Sequence, residues 1–158
     1  MEEKLNIEKE YQKLKTKLPD FKKLDNEFEL SNIQGLENTK FLLRFIRRKI
    51  NEKIVFYCRI IESILYPSQP NIITMVESKA FSEEEKQAIS NLYKKLMHYE
   101  KESIRLDIDE EETSTVRYIN DVFKLWPEIK KEISKTAKRM QEAWSEEEVP
   151  TEKNAYTF

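Results

Sequence analysis

The stretch Leu36–Tyr66, LENTKFLLRFIRRKINEKIVFYCRIIESILY, decides how this chain folds. Leu36, Leu43, Ile50, Tyr57 and Ile64 recur at an unbroken spacing of 7, and Ile46, Ile54 and Ile61 fill the same seam. That period belongs to one face of an α-helix, whereas a strand would alternate every second residue. The segment predicts a central helix over Leu36–Tyr66, roughly 45 Å long at about 1.5 Å per residue. Its halves differ. Lys40, Arg44, Arg47, Arg48 and Lys49 leave one face of the first half wet, whereas Ile54, Val55, Phe56, Tyr57, Cys58, Ile60, Ile61, Ile64 and Leu65 surround most of the second. A helix apolar nearly all round is buried on several sides, so the second half is expected to be a packing hub. Pro67 and Pro70 end it.

Upstream, Ile7, Tyr11, Leu14 and Leu18 form one helical stripe over Glu2–Leu18. Pro19 suits the first turn of a second helix, which carries Phe21, Leu24 and Phe28 inward and fades near Ser31. The pattern resets at Gly35. Downstream, Asn71 can cap a short helix with Ile72, Met75 and Val76. Ser82-Glu83-Glu84-Glu85 is a capping box, with Phe81 placed for a hydrophobic staple. The helix it opens runs to about Leu106, with Ile89, Leu92, Tyr93, Leu96 and Met97 inward. Asp107–Glu112 is an acidic break. Two helices are expected after it, one with Val116, Ile119, Phe123 and Trp126, and one from Pro127 with Ile129, Ile133, Ala137, Met140 and Trp144. Residues 145–158 lose periodicity and are expected to be an acidic, flexible tail. The fold expected is an all-α antiparallel bundle of about five or six helices around one long central helix, with residues 1–144 as a single domain.

Composition narrows the chemistry. Of the 158 residues 39% are apolar and 11% aromatic, enough for a real core. One glycine removes any Gly-rich phosphate cradle, one cysteine excludes a disulfide framework, and one histidine excludes a multi-histidine metal site. The net charge of -2 is not that of a nucleic-acid coat. The N-terminal MEEKLNIEKE lacks the apolar core of a signal peptide, and the run Ile54–Tyr66 is broken by Arg59, Glu62 and Ser63. A cytoplasmic protein without membrane partners is expected.

Single residues that could carry chemistry are poorly placed for it. A carboxylate bundle binding two metals needs Glu-x-x-His twice, but Lys95 stands three before His98, and no second histidine exists. Cys58 lies in the most apolar stretch, where a thiol behaves as a small hydrophobe. Asp107 and Asp109 fit the first and third positions of a calcium loop, yet Glu112 falls where glycine is needed and Tyr118 where the last carboxylate belongs. No catalytic residue, metal or cofactor is assigned, and a non-enzymatic interaction or scaffold protein is expected. A carboxylate-based enzyme stands as a contrasting class, since the 30 acidic residues offer many unranked pairs.

The basic stretch carries more weight. Lys40, Arg44, Arg47 and Arg48 share one helical face beside Leu43, and these five form the candidate interaction face. The favoured reading pairs this face with the acidic turn or with carboxylates of a protein partner, arginine being suited to interface ion pairs. The alternative is direct nucleic-acid contact, because such a stripe can track phosphates. The seam from Leu36 to Ile50 beside an arginine-rich face also points to a homodimer or a stable complex. In the tail, Tyr156 and Phe158 at the end of an acidic spacer are candidate docking residues.

The segment Gly35–Ile54, GLENTKFLLRFIRRKINEKI, resembles the long helix of the helical A domain in archaeal-type GINS replication-complex subunits. Ser82-Glu-Glu-Glu-Lys86, followed by Ile89, Leu92 and Leu96, resembles the helix that follows in that domain. The likeness covers residues 35–104 and implies a non-enzymatic scaffold subunit of a replicative helicase assembly. Residues 113–144 depart from it, reading as helices where the family carries a small β-rich domain. No functional residue is carried over.

Overall fold

The computed structural model describes residues 5–68 and 71–146. Among these are six α-helices: α1 (Ile7–Gln12), α2 (Phe21–Phe28), α3 (Leu42–Leu65), α4 (Ile72–Lys79), α5 (Glu83–Asp109) and α6 (Glu112–Glu146). Short 3-10 turns lie at Leu30–Asn32 and Thr39–Phe41, and no strand occurs among the described residues. The fold is an all-α helical bundle. No helix among them is long and apolar enough to cross a membrane. The chain packs as two units, residues 1–55 with 98–126 and residues 56–97 with 127–158. The division falls inside α3, α5 and α6. Ser145 and Glu146 belong to α6, while the rest of the expected tail, Tyr156 and Phe158 included, lies outside the described residues.

In the first unit, α1 is shorter than its stripe. Asn6 caps it, its side chain accepting from the Lys9 N–H at 3.1 Å, and the helix ends at Gln12. Leu14 and Leu18 are half-buried beyond it. The Tyr11 hydroxyl donates to the Pro19 carbonyl, tying the following loop back to the helix. Asp20, not Pro19, starts α2 by accepting from the Lys23 N–H at 3.2 Å. The core is built from Leu24, Leu30, Leu42, Ile46, Ile50 and Ile54, with Tyr118, Ile119 and Val122 from α6. Trp126 closes it. Its ring packs 4.7 Å from Phe28, and its indole N–H donates to Glu27 at 2.9 Å.

The second unit is built around Ile61, Ile64, Leu92, Leu96, Ile129 and Ile133. Asn71 caps α4 as expected, accepting from the Ile73 and Thr74 N–H groups. The Ser82–Glu85 capping box forms in both directions, at 2.7 and 3.2 Å. The staple partner of Phe81 would be Lys86, so Phe81 is instead buried near Ile89. The hub expected in the second half of α3 is a stripe. Ile54, Cys58, Ile61 and Ile64 are buried, but Phe56 is 59% exposed. An apolar sequence all round does not oblige neighbours on every side. Burial first, then the hydrogen bond that Tyr93 donates to Glu62 at 2.8 Å, pushes the Tyr93 pKa up to about 12.

The expected break at Pro127 does not occur, and α6 runs through it for 35 residues. Proline has no N–H for the Phe123 carbonyl, and in a helix interior this costs about 3 kcal/mol. Ile119, Val122 and Trp126 before it, and Ile129 and Ile133 after it, are buried. Each contributes roughly 1.5–3 kcal/mol, so burial of the stripe outweighs the lost bond. Pro127→Ala should therefore raise stability by roughly 1–3 kcal/mol in thermal or urea unfolding. An unchanged or lowered midpoint would show that the proline is not a cost here.

Candidate functional site

The start of α3 and the end of α5 meet in the first unit. Asn38 accepts from the Lys40 N–H at 2.7 Å and opens the 3-10 turn, so α3 proper begins at Leu42, later than its seam. Lys40 and Phe41 stand just ahead of α3, and Arg44, Arg47 and Arg48 occupy its first two turns. The last turn of α5 holds Asp107 and Asp109. Glu110 follows in the left-handed conformation, with φ 50°, and α6 begins two residues later.

Nearly every cation of the expected interaction face is met within the chain. Arg47 is 1% exposed. It donates to the Ser103 carbonyl at 2.7 Å, to the Ser103 hydroxyl at 2.6 Å, and to Asp107. Its Nε has no hydrogen-bond partner among the described residues. Arg48 donates to the same Asp107 at 3.2 Å, and Arg44 donates to Glu110. Burial pushes the Asp107 pKa upward, but the hydrogen bonds and charges of Arg47 and Arg48 outweigh it, leaving the carboxyl below its usual 3.8. Lys40 has no carboxylate partner among the described residues. Its ammonium and the Arg44 guanidinium lie 5.7 and 5.2 Å from the centre of the Phe41 ring.

A cleft of about 400 Å³ opens here, lined by Leu14, Leu43 and Leu106 as its apolar walls and by Lys40, Phe41, Arg44, Arg47, Glu110 and Glu112 among its polar and aromatic ones. Thr39 at its edge donates to Glu10 of α1, which also accepts from Lys13 at 2.8 Å. Those two bonds, Lys13 first, hold the Glu10 carboxyl below its usual pKa of 4.5.

The five residues of the expected face are therefore divided. Arg47 and Leu43, the latter 8% exposed, are buried and cannot present an outer surface. Leu36, Leu43 and Ile50 are all covered within this one chain, so the seam needs no second copy to shelter it. Lys40 and Arg48 are exposed, and Arg44 is partly so. Phe41, 39% exposed at the cleft, is the residue that periodicity missed. The signal was available, since Phe41 lies off the seam and between two cations. His98 is exposed, 3.9 Å from Glu102, and Cys58 is buried. No group of His, Cys, Asp or Glu among the described residues is arranged to hold a metal ion.

The Arg47–Asp107 pair is asymmetric, because the guanidinium is buried while the carboxylate is partly exposed. Asp107→Ala strands a buried cation and should cost about 2–3 kcal/mol, whereas Arg47→Met leaves a carboxylate that can turn to water and should cost about 1 kcal/mol or less. Urea unfolding of both variants checks the order, and a larger loss for Arg47→Met would reject it. The sign of the pH dependence follows. A carboxyl held below 3.8 in the fold contributes stability above that value and loses it as pH falls through the lower folded pKa. Asp107→Asn should flatten the acid limb of the stability profile below pH 3.8. Parallel limbs for the variant and the natural protein would contradict this.

Compared with known proteins, the chain matches no family model, no curated protein and no solved structure.

Proposed function

We propose that this is a non-enzymatic interaction protein, a subunit of a larger assembly, that binds its partner at the cleft of the first unit. The observation that carries the reading is Phe41, exposed between Lys40 and Arg44 at a cleft with apolar walls. Aromatic residues, phenylalanine among them, and arginine are enriched in protein interfaces. Phosphate tracking is the weaker reading, since Asp107 and Glu110 already neutralise much of the basic face. Membership of a GINS-type replication assembly belongs to the same proposal. It is supported by the order of a long helix and a following helix opened by Ser82, whereas the helical residues 113–144 depart from that pattern.

The test is quantitative affinity purification from native extract with the natural protein, Phe41→Ala, and Ile73→Ala as an exposed variant outside the cleft lining. Specific partners should fall at least about tenfold with Phe41→Ala and persist with Ile73→Ala. An identical partner set for Phe41→Ala, with its unfolding midpoint unchanged, would remove the cleft from the reading.

A further inference from the structure

We infer that the occupant of this cleft is an acidic peptide segment. One carboxylate of that segment takes the place of Glu110 on Arg44, and an apolar neighbour packs on Phe41. The inference rests on the binding reading above and names the chemistry of its partner. About 400 Å³ lies within the range of sites that hold a few side chains. Leu14, Leu43 and Leu106 supply apolar wall, and Phe41 adds an exposed ring.

The charges select the rest. Arg44 is already arranged to receive a carboxylate, because Glu110 supplies one. That Glu110 side chain is 60% exposed, on a residue with positive φ in the two-residue turn between α5 and α6. Its grip on Arg44 is a surface ion pair, the kind that exchanges with little loss. A ligand carboxylate that displaces it keeps Arg44 paired while the exposed Glu110 side chain turns to water, and Lys40 offers a second cation that no carboxylate among the described residues occupies. A polyanion fits less well. A chain of phosphates would have to pass Glu110, Glu112 and Asp107, which it could not displace together without stranding the buried Arg47. A single carboxylate strands nothing.

The experiment is a ¹H–¹⁵N NMR titration of the full chain with the blocked peptide Ac-Ala-Phe-Glu-Ala-NH2 and its Gln counterpart. The amides of Lys40, Phe41, Arg44 and Glu110 should shift, and the Glu peptide should bind at least about fivefold more tightly than the Gln peptide. Arg44→Gln should abolish that preference. Glu110→Gln, which frees Arg44, should tighten the Glu peptide by about two- to fivefold. The last variant alters an exposed side chain, so it remains informative even if Arg44→Gln perturbs the fold. Equal binding of the two peptides at the cleft would overturn the inference while leaving the binding reading intact. Weaker binding to Glu110→Gln, shifts confined to other residues, or tighter binding of a short oligothymidine at the same amides would also overturn it.

Discussion

Two helix ends in the first unit carry charge of the wrong sign for their own dipoles. The N-terminus of a helix favours acidic side chains and the C-terminus basic ones. The first turn of α3 has no acidic residue and contains Arg44, with Arg47 and Arg48 in the next, while the last turn of α5 has no basic residue and contains Asp107 and Asp109. Each end is disfavoured by its own dipole. Brought side by side in antiparallel order, each supplies the charge that the other lacks, and Arg44, Arg47 and Arg48 reach Glu110 and Asp107. The local conflict becomes a reason for these helices to pair with each other rather than with any other partner in the chain.

Burying Arg47 sharpens that choice. A buried ion pair adds little net stability compared with a well-packed apolar side chain, because desolvation consumes most of the Coulomb gain. Its effect is on register. The two terminal nitrogens of the guanidinium donate to the Ser103 carbonyl and hydroxyl and to Asp107, groups one turn apart on α5, while Nε stays unpaired among the described residues. A slip of α3 by one turn would leave Ile46 and Ile50 against apolar neighbours much as before, but it would bury an unpaired cation. The apolar seam makes the helices pack, and Arg47 fixes where.

This division explains which parts of the structure were legible in the sequence. The Asn71 cap and the Ser82–Glu85 box are local signals and appear as read, and the α3 seam does so from Leu43 on, apart from the half-buried Tyr57, with Leu36 buried ahead of the helix. The fate of the basic face is not local. Arg47 pairs 60 residues away, and the same spacing of lysine and arginine suits a solvated face, a phosphate track or an internal carboxylate. Periodicity places Arg47 on a helix face, but only packing shows that α5 covers it. The converse holds at Phe56, where an apolar run reads as covered and the side chain is exposed. Pro127 misleads for a related reason, since a breaker acts locally and the buried stripes on either side outweigh it. Tyr118 is fully buried beside Ser103 and Arg47, and that burial raises its pKa.

The cleft is a by-product of the same arrangement. Asn38 delays α3 by opening a 3-10 turn, which leaves Lys40 and Phe41 outside the regular helix. The turn between α5 and α6 places Glu110 and Glu112 opposite them. Arg44, Arg47 and Glu110 all line this mouth, but Arg47 is buried while the Glu110 side chain is exposed. Arg47 cannot give up Asp107 without leaving a charge uncompensated, which ties it to the fold. Arg44 can give up Glu110 to water or to another carboxylate with little loss. Two arginines three residues apart on one helix thus differ in how firmly they are tied to the fold, and depth of burial, not residue type or spacing, separates them.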